Sequence, residues 1–384
     1  MAQLKLKLLV LIREYPNGLA VTKKIKNLLH YLGSQNVEIF VISCRSNFPQ
    51  SPKEGIEDGI PYKNIGLKIK LYNLPKTMVY YFEGLSLILQ HRKKNYSNIL
   101  YSIGPINIES LLFVFWAKIL RYKLVFDINE DYSLSEDKLK LSSRFKEWTT
   151  NKLDSLTFHW ANAITVVSTH LQNKYLNKKF SKKPVILIPV TAKENHNPDK
   201  KSFNDPLQVV YAGTFDLKDG IDDIIEGFKL FNTKYKNSEL IMTGNNDRQR
   251  YFKEKLKNHT YIIFKGLLSD GEFYNLLKNA DVMCMCRTNS AFSNAGFPFK
   301  LGEYLATGNP VISTKATDVT KYLTSDDAYL IESNNPEQIC EALISISENQ
   351  EEARRIGRNG FVKYQNIFSP QKNGVLLYEL FCNL

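Results

Sequence analysis

The feature that most constrains this chain is a regular alternation of short apolar segments with segments of helical periodicity, along nearly all of its 384 residues. The short segments are β-branched and almost continuously apolar, which is typical of parallel strands buried on both faces. Strands that alternate with helices are joined by right-handed crossovers, so the pattern predicts doubly wound parallel sheets. The predicted strands lie at residues 4–12, 37–43, 98–103, 123–128, 163–168, 185–190, 207–212, 240–243, 261–264, 282–286 and 310–313.

Length and one polar segment predict two domains, at roughly 100–200 residues each. Residues 191–206 are rich in Lys, Asn and Asp and include two prolines, so we interpret them as a linker. We predict Rossmann-like domains over residues 1–190 and 207–369, and a helix over 370–384 that could pack back on the first domain. Ligands of open α/β sheets bind beyond the carboxyl ends of the strands. The predicted fold class is therefore α/β, with two Rossmann-like domains facing a cleft that holds the site.

Positive charge is concentrated in the first half of the chain. Residues 1–200 carry 30 Lys and Arg against 16 Asp and Glu, a net charge of +14, whereas residues 201–384 carry −2. A basic domain attracts polyanions, either nucleic acid or an anionic membrane. We find no signature of a nucleic-acid-binding motif, which favours the membrane. Lysines that merely keep the domain soluble are the alternative.

Two stretches suit an anionic membrane surface, because they mix lysines with aromatic and aliphatic side chains. They are residues 68–95 and 138–152, the second with Phe145 and Trp148. Core-facing helices with solvated lysines are the alternative. No run approaches the ~18 apolar residues of a spanning helix. The five scattered cysteines suit a reducing cytoplasm, so we expect a peripheral protein on the inner face of the membrane.

The densest cluster of conspicuous residues lies at 297–312 (FPFKLGEYLATGNPVI). Pro298 suits the first position of a helix, where its missing N–H would have no partner. The N-terminus of that helix suits a phosphate, and Lys300 adds a cation. Glu303, one turn deeper, could accept hydrogen bonds from the two hydroxyls of a ribose. An ordinary amphipathic helix with a Lys–Glu surface pair is the alternative.

A glycine-bearing turn forms a second cluster, at residues 211–228 (YAGTFDLKDGIDDIIEGF). Gly213 would let a ligand approach the backbone, and Gly220 would let the chain turn into a helix. Thr214 and Lys218 could contact a phosphate. A plain strand–loop–helix connection is the alternative.

In this order along the chain, the two clusters resemble the C-terminal half of glycosyltransferases of the GT-B fold. The resemblance is to the large retaining family 4, in its short P-x-K-x-x-E variant, and covers roughly residues 205–365. The matching residues are Tyr211, Gly213, Gly220, Phe264, Lys265, Gly266, Ala280, Asp281, Val282, Pro298, Lys300, Glu303, Tyr304, Leu305, Ala306, Gly308 and Pro310.

The resemblance implies the transfer of a sugar from a UDP- or GDP-sugar to a hydroxyl of a glycan or lipid-linked acceptor. It also implies retention of the anomeric configuration and a role in cell-surface polysaccharide synthesis. It implies that the C-terminal domain binds the donor, that the N-terminal domain binds the acceptor, and that no metal or cofactor is needed. Glu303 would hold the ribose, Lys300 and Arg287 the diphosphate, and the backbone near Lys265 the base. The implied donor-binding residues are Gly18, Gly213, Thr214, Lys218, Lys265, Arg287, Pro298, Phe299, Lys300, Leu301 and Glu303.

The chain departs from the family pattern at two places. Ala295 stands where many members have a glutamate that is thought to touch the sugar. A usual basic pair is replaced by Thr214 and Asp219, with Lys218 one residue away. Asp219 and its neighbouring carboxylates would repel a phosphate placed against them. We therefore expect the diphosphate to rely on Lys300 and Arg287 more than on this loop.

In the first half, Gly18 resembles the glycine of the family's first loop, which approaches the donor phosphates, although a simple turn would also explain it. The segment FDINED ends a predicted strand with Asp127, Glu130 and Asp131. One of these carboxylates could orient or deprotonate the acceptor hydroxyl, so all three are candidate catalytic residues. Helix capping is the alternative role.

Two other functions remain open at this point. One is a nucleotide-sugar epimerase of the same fold, which would need neither a separate acceptor nor a membrane surface. The other is a non-catalytic protein that binds polyanions or membranes through its basic half.

Overall fold

The computed structural model describes residues 5–45, 52–66, 74–134, 141–177, 183–196, 202–244 and 246–384. The chain forms two compact units. Unit 1 consists of Met1–Thr191 and Pro370–Leu384, and unit 2 of Ala192–Ser369. Each unit is built on a largely parallel sheet, which confirms the predicted α/β class with two parallel-sheet domains.

The sheet of unit 1 has eight described strands in the order β3-β4-β2-β1-β5-β6-β7-β8. Neighbours are parallel except for the β3–β4 hairpin. The strand β1 lies near the middle of this sheet, and its residues from Leu6 to Ile12 are buried. The strands are β1 (Leu6–Glu14), β2 (Glu38–Arg45), β3 (Glu54–Glu57), β4 (Ile60–Asn64), β5 (Ser97–Ile103), β6 (Lys123–Ile128), β7 (Ala163–Val166) and β8 (Val185–Leu187).

The helices of unit 1 that precede unit 2 are α1 (Ala20–Ser34), α2 (Leu74–Gln90), α3 (Leu111–Ile119), α4 (Leu141–Trp160) and α5 (Thr169–Leu176). In α1, Ile25, Leu28, Leu29 and Leu32 recur at helical spacing and are fully buried in the core of unit 1. This apolar stripe is what fixes α1 on the sheet. No helix among the described residues combines the length and the apolar character needed to cross a bilayer.

Unit 2 has a six-stranded, all-parallel sheet in the order β11-β10-β9-β12-β13-β14. Its strands are β9 (Leu207–Ala212), β10 (Ser238–Thr243), β11 (Ile262–Gly266), β12 (Val282–Met285), β13 (Val311–Thr314) and β14 (Tyr329–Ile331). Its helices are α6 (Ile221–Lys234), α7 (Asp247–Lys255), α8 (Asp270–Asn279), α9 (Ala291–Ala295), α10 (Phe299–Leu305), α11 (Val319–Tyr322), α12 (Pro336–Glu348) and α13 (Gln350–Lys363).

The last helix, α14 (Pro370–Cys382), completes the core of unit 1 although it follows unit 2 in sequence. Leu377 and Phe381 are buried in the same apolar cluster as the inner face of α1. Gly374 lies against the ring of Tyr31, where an added Cβ would come within 2.2 Å of Cδ1. Asn373 Nδ2 donates to Thr191 Oγ1 at 3.0 Å.

Candidate functional site

The carboxyl edge of the unit 2 sheet is shaped by glycines. Gly213 follows β9, Gly244 follows β10, and Gly266 ends β11. Gly244 N donates to Gly266 O at 2.8 Å, and a Cβ on Gly244 would lie 1.8 Å from Gly213 O. The three turns therefore pack backbone against backbone, and the neighbouring Lys265 side chain is exposed.

Gly213 lacks a side chain because Lys300 occupies that space. A Cβ at position 213 would lie 2.1 Å from Lys300 Cε and 2.4 Å from the hydroxyl of Tyr211. The fully buried Tyr211 cannot give way easily, whereas the flexible end of the Lys300 side chain would have to leave this position. The glycine turn thus belongs to the same site as the helix that carries Lys300.

Lys300 forms an ion pair with Asp219. Its Nζ lies 2.7 Å from Asp219 Oδ1, and 5.3 Å from the centre of the Tyr211 ring. The Tyr211 hydroxyl donates to Asp219 Oδ2 at 3.1 Å. The Lys300 side chain keeps 18% of its surface exposed, against 4% for Asp219, so the cation is the partner that remains accessible.

The ionisation of Asp219 follows from these neighbours. Burial raises the pKa of its carboxyl, but the charge and hydrogen bond of Lys300 and the charge of Arg287 outweigh burial and lower the pKa to about 2. Asp219 is thus a carboxylate at neutral pH. Lys300, Asp219 and Arg287 together carry one net positive charge.

Arg287 is held at the carboxyl end of β12. Its side chain is buried, and Nε donates to Ser293 Oγ at 3.1 Å. Its backbone N–H donates to Thr314 Oγ1 at 3.0 Å, and its carbonyl accepts from Ser333 Oγ at 2.8 Å. These bonds fix the guanidinium where its charge acts on Asp219.

The other acidic and polar groups of the glycine turn have local partners. Asp222 pairs with Arg248 at 3.4 Å. The Thr214 hydroxyl lies 2.8 Å from Asp216 Oδ2 and 3.1 Å from Asp219 Oδ2. Lys218 Nζ lies 5.0 Å from the centre of the Phe292 ring. The structure thus brings Gly213, Thr214 and Lys300 together around Asp219 and directs Lys218 toward α9.

The prediction for Pro298 was wrong by one position. Pro298 is the N-cap of α10, with an extended ψ of 107°, and the helix begins at Phe299. Leu301 N donates to Pro298 O at 3.1 Å, which closes the first turn. Leu301 is buried and Phe299 half-buried, so this pair anchors the N-terminal turn of α10.

Tyr304 ties α10 to the end of β9, because its hydroxyl accepts from Ala212 N at 2.8 Å. Glu303, its neighbour, is half-buried. Burial, and then the nearby Glu303 carboxylate, raise the pKa of Tyr274 on α8 well above its usual range. The Glu303 carboxylate on α10 therefore lies near Tyr274 of α8, one turn from Lys300.

In unit 1, Asp127 lies inside the protein. Lys24 Nζ is 3.0 Å from each of its carboxylate oxygens, and both side chains have no exposed surface. Thr165 Oγ1 donates to Oδ1 at 2.7 Å, and Asn129 Nδ2 to Oδ2 at 2.8 Å. The Asp127 carboxylate is thus enclosed by protein in this conformation, and its catalytic role stays a prediction.

Asp131 is also buried and partnered. Its Oδ1 accepts from Lys174 Nζ at 2.7 Å and from Ser133 Oγ at 2.6 Å, and its Oδ2 lies 3.1 Å from His170 Nε2. Burial raises the pKa of Asp131, but hydrogen bonds from these three residues outweigh it and lower the pKa to about 2. Such a carboxylate is a weak base, and a catalytic role for Asp131 also stays a prediction. Glu130 is half-buried.

Sequence reasoning missed His170 and Lys174. A usable signal was present, since both follow β7 on the first turns of α5, at positions i and i+4. The carboxyl end of β7 adjoins that of β6, and Asp131 follows β6 by three residues.

Gly18 has a local explanation. A Cβ there would lie 2.0 Å from Thr22 Oγ1, and that hydroxyl donates to Glu14 O at 3.0 Å. The glycine makes room for the bond that links the end of β1 to the first turn of α1. Across the described residues, no three His, Cys, Asp or Glu side chains cluster as metal ligands would.

Comparison with known proteins gives matches over both units. Residues 192–363 match the family model described as glycosyl transferases group 1. The chain is 21% identical over 372 residues to the capsular polysaccharide biosynthesis glycosyltransferase CapM of Staphylococcus aureus, covering 90% of each protein.

Solved structures match the whole fold. Sucrose-phosphate synthase from Thermosynechococcus elongatus superposes with a TM-score of 0.71 at 15% identity, covering 98% of both chains. Anabaena HepE, solved in complex with UDP-glucose, gives a TM-score of 0.72 at 14% identity, covering 98% of this chain and 100% of that one. These likenesses show the GT-B fold.

Proposed function

We propose a division of labour between the two units from the premise that the chain is a glycosyltransferase, with residues 192–363 belonging to the glycosyl transferases group 1 family. Unit 2 would bind a nucleotide-sugar donor, and unit 1 a hydroxyl-bearing glycan or lipid-linked acceptor. The donor would be a UDP- or GDP-sugar, and the UDP-glucose complex of Anabaena HepE favours UDP. The name of the Staphylococcus aureus relative supports a role in cell-surface polysaccharide synthesis.

The observation that carries this proposal is the position of Lys300 across Gly213, beside Arg287 and Asp219. A donor diphosphate needs cations at the carboxyl edge of a parallel sheet, and this edge of unit 2 supplies them. The diphosphate would take the place of Asp219 against Lys300. Both cations would then stabilise the negative charge that grows on the leaving diphosphate.

Glu303 would bind the ribose of the donor. It is half-buried on α10 near Tyr274 of α8, so its carboxylate is partly desolvated and its hydrogen bonds gain strength. The nucleotide base of the donor would bind at the end of β11, beside the exposed Lys265 and the turn at Gly266.

The transfer would proceed with retention of configuration, and the leaving diphosphate would take the proton of the acceptor hydroxyl. No strong base is then needed in unit 1. Of the three acidic candidates, Glu130 is the one with a partly exposed side chain. Asp127 and Asp131 would instead position Lys24 and His170.

Unit 1 would also contact the membrane, through a surface formed by α2 and α3. Phe82 is 63% exposed, and Met78, Val79 and Leu89 are exposed on the same helix. Leu112, Phe115, Trp116 and Ile119 recur at helical spacing and form an exposed stripe on α3. Gly84 allows the two helices to pack closely, since a Cβ there would lie 2.2 Å from Phe113 Cε1.

Basic side chains adjoin this surface. Arg92, Lys93, Lys94 and Lys118 are exposed, and Lys118 Nζ lies 4.7 Å from the centre of the Trp160 ring. Exposed apolar and aromatic side chains with adjacent cations fit an anionic lipid interface. The proposed location is thus the cytoplasmic face of the membrane. The predicted stretches 68–95 and 138–152 lie partly outside the described residues, as do the side chains of Phe145 and Trp148.

The donor site is tested by calorimetric titration with UDP, GDP, CMP and dTDP. We expect one uridine or guanosine diphosphate to bind the wild type, and Glu303→Gln to weaken it by about tenfold, as the loss of charged hydrogen bonds predicts. Glu341→Gln, at an exposed position of α12, is the matched control and should bind like the wild type. If no nucleotide binds, or if Glu303→Gln binds equally well, the proposed donor site is wrong.

A further inference from the structure

We propose that His170 binds a hydroxyl of the acceptor sugar and that Asp131 positions its imidazole for this. The inference rests on the proposed function, because it gives unit 1 its acceptor-binding residue. Lys174 and Ser133 complete the cluster around Asp131.

The cluster lies where an acceptor would bind in an α/β unit. Asp131 follows β6, and His170 lies on the first turn of α5, directly after β7. The two strands are parallel neighbours, so both residues lie at the carboxyl edge of the sheet. Ligands of open parallel sheets bind beyond this edge.

The hydrogen bonds of Asp131 fix which ring nitrogen of a neutral His170 carries the proton. Asp131 is a carboxylate at neutral pH, so it can only accept. Its Oδ1 is occupied by Lys174 and Ser133, and Oδ2 faces His170 Nε2 at 3.1 Å. Nε2 must then donate, which leaves the lone pair of Nδ1 as an acceptor.

The different exposure of Asp131 and His170 separates the positioning role of the carboxylate from the ligand-binding role of the imidazole. The side chain of Asp131 is 3% exposed and cannot meet a substrate, whereas that of His170 is 43% exposed. Within the part of the chain that the structure describes, His170 Nδ1 has no protein donor. A buried carboxylate thus holds an exposed imidazole with its accepting edge available.

The charge of the cluster selects the kind of ligand. The negative charge of Asp131 is balanced by Lys174, so this pair attracts neither an anion nor a cation strongly. With Nε2 donating to Asp131, the Nδ1 lone pair matches an O–H donor. The ligand class is therefore a hydroxyl of a neutral sugar, held beside the hydroxyl that reacts.

The test uses the full chain, the glucose donor of the nucleotide that binds in calorimetry (UDP-glucose or GDP-glucose), and the octyl glycosides of glucose, galactose and N-acetylglucosamine as acceptor probes. We expect His170→Leu to raise the KM for the reactive glycoside about tenfold, the value of one lost hydrogen bond, and to leave the KM for the donor unchanged. His170→Gln should recover most of the affinity, because its amide can donate to Asp131 and accept from the sugar. His30→Leu, at an exposed position of α1, is the matched control.

The outcomes separate this inference from the proposed function. If no nucleotide binds to the wild type, the proposed function fails. If the nucleotide binds but none of the glycosides reacts, the assignment of a neutral sugar hydroxyl is overturned. If the wild type transfers sugar and His170→Leu has an unchanged acceptor KM, His170 does not bind the acceptor. If His170→Leu fails to fold, the acceptor KM of His170→Gln is compared with that of His170→Asp, which cannot donate to Asp131. We expect the higher KM in His170→Asp, and equal KM values would overturn the inference.

Discussion

Lys300 and Asp219 lie 81 residues apart in sequence and meet at 2.7 Å, Nζ to Oδ1. The pair joins the N-terminal turn of α10 to the glycine turn after β9. Asp219 stands at a position where a basic residue is usual in the family that the chain resembles. In this protein, the loop thus contributes an anion that would compete for Lys300 with the diphosphate of the proposed donor.

Replacing Asp219 by Asn should strengthen nucleotide binding and weaken the fold. The diphosphate would no longer compete with a carboxylate, so we expect affinity for the nucleotide to rise by about threefold to tenfold. Calorimetry of Asp219→Asn against the wild type measures this change. Asp222→Asn, at an exposed carboxylate of the same turn, is the control. Weaker binding by Asp219→Asn would mean that the carboxylate positions Lys300 for the donor.

The pH dependence of stability should report the same ion pair. The pKa of Asp219 is about 2 in the folded protein, below the 3.8 of a free carboxyl. Its contribution to the free energy of unfolding, about 2 kcal/mol, is present above about pH 4 and lost as the pH falls toward 2. Urea unfolding followed by circular dichroism should therefore separate the wild type from Asp219→Asn at pH 6, with the gap narrowing steadily from about pH 4 to about pH 2. A pH-independent gap would contradict the assignment.

A side chain at position 213 should damage the proposed donor site. In Gly213→Ala the new Cβ would overlap Lys300 Cε, so Lys300 must leave Asp219. We expect nucleotide affinity to fall more than tenfold and the free energy of unfolding to fall by about 1–3 kcal/mol, as for other overpacked sites. Gly271→Ala on α8 meets no atom within 4 Å and should behave like the wild type. Equal nucleotide binding by both variants would show that Lys300 does not need this position.

Removing one partner of the buried Lys24–Asp127 ion pair should strongly lower the stability of unit 1. Lys24→Met leaves a carboxylate inside the protein without its cation, which costs about 3–5 kcal/mol. All three tryptophans, Trp116, Trp148 and Trp160, lie in unit 1, so their fluorescence reports its thermal unfolding. The double variant Lys24→Met with Asp127→Leu should recover much of the loss. If Asp127→Asn alone keeps full stability but abolishes transfer, Asp127 has a catalytic role after all.

Vesicle binding should depend on the exposed stripe of α3. We expect the wild type to float with vesicles that contain phosphatidylglycerol and not with phosphatidylcholine alone, since both apolar and electrostatic attraction contribute. Phe115→Ser with Trp116→Ser should abolish most of this binding. Val362→Ser, at an exposed position of unit 2, is the control. Binding that survives the α3 double variant would place the membrane contact elsewhere.

The parts of the fold that sequence predicts are those that short-range periodicity encodes. Buried parallel strands such as β1 and β9 appear as continuous apolar runs, and both were located. The β3–β4 hairpin was missed because its strands are partly exposed and less apolar. Its turn did carry a signal, since Asp58 and Gly59 both adopt positive φ, the conformation favoured by Asp-Gly in two-residue hairpins.

The residues of the candidate site also fall into those that a local motif predicts and those that long-range contacts determine. Pro298, Lys300 and Glu303 lie within two turns of one helix, so a local motif places all three. The partners that decide what these groups do come from distant segments. No spacing in the sequence indicates that Lys24 neutralises Asp127 from 103 residues away, or that His170 meets Asp131. Those contacts follow from strand order, which the sequence pattern leaves undetermined.

The return of α14 to unit 1 affects the order in which the chain can fold during synthesis. Unit 2 is continuous in sequence, whereas the core of unit 1 needs Leu377 and Phe381, which are translated after all of unit 2. Domains fold as they emerge from the ribosome, so unit 2 can mature first even though it is encoded second. Until the last helix emerges, the inner face of α1 lacks its cover, and the nascent unit 1 exposes apolar surface that chaperones recognise.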